Sequence, residues 1–216
     1  MARESARSAG RGRPRDEGLA ARRRAEILRH AIRHFARDGY AGADLDAIAA
    51  DAGCSKGTLY RYFASKEALF HSGVDTVMQG LLEATAPVEG EDPVAAIEDG
   101  VRAYLAYFDK HPEYVEMLIL ERAVFRDRKK PTYFEYRDAN AHRWQERFEA
   151  LIDAGRFRAV PPERILDVLG NLVYGTAFTN YFAGRRSSLD QQVKDILDVL
   201  FHGLLAPEKP DRRSSR

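Results

Sequence analysis

Residues 43–69 read ADLDAIAADAGCSKGTLYRYFASKEAL, and the rest of the chain is organised around them. Asp44 stands where a short acceptor side chain satisfies the free N–H groups that open a helix. Leu45, Ile48, Ala49 and Ala52 recur at helical spacing and give that helix one apolar face. Gly53 ends it, because glycine reaches left-handed backbone cheaply. Ser55 is placed to cap a second short helix carrying Lys56, Gly57, Thr58, Leu59, Tyr60, Arg61, Tyr62 and Phe63, and Ser65 to cap a third. A helix, a tight glycine turn and a second helix at an angle form the motif that lays its second helix in the major groove of DNA. Leu59 and Phe63 are four apart and face the protein, which leaves Lys56, Thr58, Tyr60, Arg61 and Tyr62 for other directions. Lysine and arginine donate to guanine edges or phosphates, and the hydroxyls of threonine and tyrosine do either. Gly57 has no side chain to keep DNA away, and Lys66 stands in the first turn of the next helix, within reach of a phosphate. The plainer reading is a small helical core with a polar wet face. Tyrosines interleaved with cations on a helix of about two turns fit that reading less well.

The stretch resembles the N-terminal domain of the TetR family of bacterial one-component regulators. The residues that carry the resemblance are Phe35, Gly39-Tyr40, Ile48-Ala49, Ala52-Gly53, Ser55, Gly57-Thr58-Leu59-Tyr60, Tyr62-Phe63, Ser65-Lys66-Glu67 and Leu69, with unbroken spacing over roughly residues 22 to 70. The resemblance implies an all-α fold, in which a three-helix helix-turn-helix domain is followed by a larger helical domain that binds a ligand and dimerises. By position it directs Lys56, Gly57, Thr58, Tyr60 and Arg61 toward bases and backbone, and Tyr62 and Lys66 toward phosphates. It also favours a repressor over an activator. The sequence departs from the family where Ala43 and Asp44 replace a frequent threonine or serine, and Asp44 repels a phosphate. Cys54 replaces the usual valine, a mild change because free cysteine packs as a small hydrophobe.

A chain of 216 residues, 44% hydrophobic and 31% charged, is long enough for one large or two small domains. Net charge is only +1, so a basic surface has to be local. The single cysteine excludes an internal disulfide framework and points to a reducing compartment, the cytoplasm. The Arg-rich start has no apolar segment, so no secretory signal is expected. Residues 168–184 carry no charge, but Asn171, Thr176, Thr179 and Asn180 interrupt them, which predicts a buried helix and no membrane partner.

The expected division is a flexible basic arm over 1–20, the helix-turn-helix domain over 21–70, an effector-binding and dimerisation domain over 71–206, and a disordered tail over 207–216. In the arm, Arg11-Gly12-Arg13-Pro14-Arg15 resembles the core of AT-hook peptides. Arg11 and Arg13 either enter a narrow A·T-rich minor groove or add salt-sensitive, sequence-independent affinity. The first helix is expected from Leu19 to Asp38, with Ile27, Ala31, Ile32 and Phe35 inward and Arg22, Arg23 and Arg24 beside a phosphate. His30 and His34 have metal-ligand spacing but no evident third ligand, so they read as surface or packing residues.

Beyond Phe70, apolar residues continue at helical period through a fourth helix to about Thr85. A loop covers 87–93, two helices follow to Phe125, and one long helix is expected over 133–152. The last two helices, from Pro161 and from Ser187 or Ser188, are too apolar for a monomer surface and suggest a two-fold four-helix interface. Leu169, Val173, Ile196, Leu200 and Leu204 are its candidate residues. The second domain also holds more aromatic rings than its core requires. Trp144, Phe148, Tyr174, Phe178, Tyr104 and Phe108 are therefore candidates to line the site of a small apolar or aromatic effector. No phosphate loop, dinucleotide fingerprint or Cys/His cluster is present, so no catalytic residue, cofactor or metal is expected. The expected function is a ligand-responsive homodimer on a pseudo-palindromic operator. The alternative is a DNA-binding dimer whose second domain serves a protein partner; an enzyme is the third class.

Overall fold

The computed structural model describes residues 17–203 apart from Glu89 and Glu91. Arg11, Arg13, Leu204 and the expected tail lie outside the described residues. Within them the chain forms ten helices and no strand. These are α1 (Glu17–Gly42), α2 (Leu45–Asp51), α3 (Lys56–Tyr62), α4 (Lys66–Ala84), α5 (Pro93–Lys110), α6 (Pro112–Val124), α7 (Thr132–Asn140), α8 (His142–Asp153), α9 (Pro162–Ala183) and α10 (Leu189–His202).

Two boundaries differ from expectation. Helix α1 breaks at Gly39 (φ 72°), but one more turn carries it to Gly42. The long helix expected over 133–152 is two, α7 and α8, parted at Ala141. There the Asn140 side-chain amide donates to the Tyr136 carbonyl at 2.9 Å, competing with its own backbone N–H for that acceptor. The ladder tightens to a long Ala141 N–H to Asp138 carbonyl contact of 3.5 Å, and the helix bends.

One core runs through the whole described chain, and α4 passes through its middle. Near its start Phe70, fully buried, meets Phe35 edge-on at 5.1 Å and Tyr40 at 5.4 Å, while Phe125, just past α6, lies 5.4 Å away. Such aromatic contacts add to the burial of the rings themselves. One turn on, Gly73 lets α1, α4 and α6 close up: a Cβ there would stand 3.3 Å from Ile32 and 3.2 Å from Met117. Two polar ties hold the rest. His34, buried on α1, bonds Asp51 at 2.7 Å and Arg37 at 3.1 Å, so it is a packing residue that fastens α2 to α1. Glu121, buried on α6, accepts from the Thr132 N–H at 3.1 Å and from Arg128 at 2.8 Å, which folds the 125–131 segment back over α6.

Phe70→Ala removes the ring that α1, α4 and Phe125 share and is expected to lower unfolding free energy by about 3–5 kcal/mol, read from urea denaturation. A second expectation concerns acid. The hydrogen bond from His34 is the main cause that holds the Asp51 carboxyl below its ordinary range, with the charges of His34, His30 and Arg37 adding to it. A folded pKa below the unfolded one means stability that is present above the unfolded value, near pH 4, and is lost as pH falls through the folded value. Asp51→Asn should therefore lower the urea midpoint at neutral pH and converge with wild type as pH falls through the folded value.

Candidate nucleic-acid interface and internal cavity

Each of the short helices is capped by its own sequence. Asp44 accepts from the Asp46 N–H at 2.9 Å, Ser55 from Thr58 at 3.1 Å, and Ser65 from Ala68 at 3.0 Å. Gly53 sits at φ 63°, which makes the turn between α2 and α3. Helix α3 buries Leu59 completely, and Phe63 at its end is buried too. This turns the other side of α3 to solvent: Lys56, Gly57 and Arg61 are exposed, and Tyr60 is 45% exposed. No described residue bonds Arg61. A Cβ on Gly57 would meet nothing nearer than the Ser55 hydroxyl at 3.8 Å, so the chain's own packing does not demand glycine there.

The remaining candidates have duties inside the protein. Lys56 bonds Asp46 at 2.7 Å, and that hydrogen bond raises its pKa. The Thr58 hydroxyl shares the Ser55 oxygen at 3.1 Å. Tyr62 is half-buried beside Phe63. Lys66 donates to the carbonyls of Ala41 at 3.0 Å and Ala43 at 2.6 Å and lies 5.4 Å over the Tyr40 ring. It braces the α1–α2 connection, with one of its three ammonium hydrogens left for an outside acceptor. Arg23 and Arg24, expected beside a phosphate, also have partners within the chain, Arg23 half-buried and Arg24 exposed. Arg23 bonds the Ala52 carbonyl at 3.1 Å and Glu26 at 2.8 Å, and Arg24 lies 5.1 Å over the Phe63 ring.

A cavity of about 230 Å³ opens between α4, α5, α7, α8 and α9. Met78, Leu81 and Leu82 of α4, Ile97 and Val101 of α5, Phe148 of α8 and Leu166 of α9 make apolar wall. Trp144 lies against Gly100, where a Cβ would stand 2.6 Å from the indole; only a bare helix surface admits the ring. Among the lining residues Tyr104 and Tyr133 are buried, their phenol oxygens 2.9 Å apart. Burial pushes Tyr104 well up from the usual phenol range and Tyr133 up to about 12. Asp138, Glu163 and Asp167 are exposed and Arg137, Arg143 and Gln145 half-buried, so these six form the rim.

Of the six rings singled out in the sequence, Tyr104, Trp144 and Phe148 line the cavity. The other three stand behind it. Phe108 is buried 5.3 Å from Tyr104, while Tyr174 and Phe178 stack on each other at 4.3 Å, with Tyr174 4.7 Å from Tyr133. Tyr133 counts among the second domain's rings but not among those six, and Arg137 was not singled out; their spacing of one helical turn is the signal that joins them.

The interface candidates are also redistributed. Val173 is buried and Leu169 half-buried, and both line the cavity. Ile196 and Leu200 are half-buried against the chain's own core. The large apolar residues that α9 and α10 leave in solvent are Val168, Leu172, Tyr181, Phe182 and Val199, Phe182 at 68%. Among the described residues no helix is long and apolar enough to cross a membrane.

Residues 27–72, from α1 into α4, match the family described as bacterial regulatory proteins, tetR family. The chain is 37% identical over 98 residues to the HTH-type transcriptional repressor SCO4008 of Streptomyces coelicolor, covering 45% of this chain and 48% of that protein. The chain spans about half the length of the curated relatives it matches. Among solved structures, the fatty acid degradation regulator FadR from Bacillus halodurans superposes with a TM-score of 0.70 at 16% identity, covering 89% of this chain and 97% of that one. FadR of Thermus thermophilus, a repressor solved with lauroyl-CoA, gives 0.58 at 23%, covering 87% and 97%. At these identities the structural likeness establishes the fold alone. The segment 27–72 thus carries the helix-turn-helix match to the tetR family of bacterial regulatory proteins, and the all-helical fold around it is the one these solved regulators share.

Proposed function

We propose that this protein is a cytoplasmic transcriptional repressor that binds a pseudo-palindromic operator as a homodimer and is released by a small, mostly apolar effector. The observation that carries the reading is α3 itself. Its apolar side is buried while Lys56, Gly57, Tyr60 and Arg61 face outward together, with Arg61 unclaimed by any described residue. Residues 21–70 serve as the reading head and 71–206 as the effector and dimer body. Tyr62, Thr58 and the remaining Lys66 hydrogen supply backbone contacts, and Arg11 and Arg13 extend the contact along the duplex. The internal cavity favours a small-molecule effector over a second domain that serves only a protein partner, because a domain of that second kind has no need of one. About 230 Å³ lies just below the usual ligand-site range of about 300–1,000 Å³, so the effector is small. A lauroyl-CoA complex of a fold neighbour, the Thermus repressor, supports a ligand site in this architecture. Release follows if the effector binds the non-operator arrangement more tightly, and such couplings are typically 1–3 kcal/mol.

The test uses a duplex selected by the wild-type protein from a randomised pool. Arg61→Ala and Tyr60→Ala should each weaken binding to that duplex by about tenfold or more at fixed salt, with unchanged helical circular dichroism. Wild-type affinity in both variants would remove α3 as the reading helix. The dimer is tested on the exposed stripe, since Leu172 and Phe182 share one face of α9. Leu172→Asp combined with Phe182→Asp should convert a light-scattering dimer at micromolar concentration into a monomer of native helicity, whereas a wild-type monomer would refute the dimer outright.

A further inference from the structure

The two phenols in the cavity do not balance. Each of Tyr104 and Tyr133 carries one proton to donate. One proton joins the pair at 2.9 Å, whichever residue supplies it, and the other has no acceptor among the described residues. Tyr174 is near, its ring 4.7 Å from that of Tyr133, but makes no hydrogen bond to either phenol. Both oxygens belong to cavity-lining residues whose neighbours are Met78, Val101 and Phe148, so the spare O–H stands in apolar surroundings, where an unmet donor is unfavourable.

We infer that the Tyr104–Tyr133 pair is the specificity element of this cavity, presenting one O–H donor that selects a neutral effector with an apolar body and a single carbonyl oxygen. The inference rests on the effector reading above and names the chemistry of that effector. A hydrocarbon fills the walls but leaves the proton unmet. A carboxylate meets the proton but has to give up its hydration among apolar walls, under a rim where three carboxylates face two guanidinium groups. Arg137, whose charge acts on both phenols, already has Asp138 at 3.4 Å, Asp167 at 3.8 Å, Asn171 at 3.4 Å and the Phe134 ring at 5.1 Å beside it, so a carboxylate arriving there competes with two others. At the rim, Asp138, Glu163 and Asp167 outnumber Arg137 and Arg143, so the rim as a whole carries net negative charge and disfavours an anion. Size fits the same class. An apolar cavity of roughly 150 Å³ holds a benzene, so about 230 Å³ holds a ring with a short carbonyl-bearing arm.

Three probes of nearly equal shape separate these chemistries: 4-phenylbutan-2-one, butylbenzene and 3-phenylpropanoate. Titration calorimetry on the full chain should show the ketone binding at least about tenfold more tightly than either of the others. Donor counting then makes an unusual demand on the variants. Tyr104→Phe and Tyr133→Phe each leave one phenol with a free proton, so each single variant keeps the ketone preference. The double variant Tyr104→Phe/Tyr133→Phe has no donor and should bind ketone and hydrocarbon alike. It retains the cavity's shape, so butylbenzene affinity should be unchanged. Equal binding of ketone and butylbenzene by wild type, a preference for 3-phenylpropanoate, or a ketone preference that survives in the double variant overturns the inference. If butylbenzene binds without any ketone preference, only the donor assignment fails. If no probe binds while the protein still holds its selected duplex, the effector reading fails with it.

Discussion

The packing of Phe70 between α1 and the end of α6 fixes where everything else sits. Its ring is shared by Phe35 and Tyr40 on one side and Phe125 on the other. Gly73, next along α4, is small enough for Ile32 and Met117 to close over it. Helix α4 is thus seized near its start by α1, the scaffold of the reading head, and by α6, part of the body. From that grip it runs in both directions. Ser65 and Lys66 stand behind α3 and tie down the α1–α2 connection. Met78, Leu81 and Leu82 form one wall of the cavity. Nineteen helical residues at about 1.5 Å each make a rigid rod of roughly 28 Å, so the two ends do not move independently. Close-packed interiors pass displacement rather than absorb it.

The same economy shows in the charges. With a net charge of +1 the chain has no general attraction for a polyanion, and a basic face has to be made by subtraction. On α1, Arg23 and Arg24 are consumed by the fold, and Lys66 is mostly so. Lys56 is held by Asp46 in an exposed pair, and such pairs are worth about 0–1 kcal/mol. A phosphate or a guanine edge therefore competes for Lys56 at small cost, whereas Arg61 needs no release at all. On the proposed reading, discrimination comes from cations at defined positions, Lys56 and Arg61 among them, rather than from bulk charge.

The head was legible in the sequence because its signals are local. Asp44, Ser55 and Ser65 cap within three residues, Gly53 turns where left-handed backbone is required, and Leu59 and Phe63 mark the inner face without ambiguity. The body was less legible, for two physical reasons. Helix α9 is apolar on several faces, so its pattern has no direction. Leu169 and Val173 looked equivalent to Val168 and Leu172, and only the packing of α8 and α5 against it decides that the first two face the cavity. The bend at Ala141 depends on Asn140 bonding its own helix, a choice the side chain makes only in context. Beyond that break α8 carries Trp144 against Gly100, a close approach the hydrophobic period does not encode. Residue type alone did not separate Tyr104, at the cavity surface, from Phe108 one turn behind it.

On the proposed reading, the two parts of an effector do different things. Its apolar body gains by leaving water, and that gain is non-directional, scaling with area removed. Any arrangement of α4 that keeps the cavity closed gives nearly the same benefit, so the body contributes affinity but little preference between states. A hydrogen bond is directional and weakens steeply as distance and angle depart from ideal. Tyr104 comes from α5 and Tyr133 from α7, and each lies beside the wall that α4 provides. A carbonyl held by their spare proton is therefore sensitive to the relative placement of those helices in a way the ring is not. A ligand shifts an equilibrium only by its differential affinity for the two states. On that ground the polar contact, the smaller part of the binding, is the part able to report α4's position to the reading head.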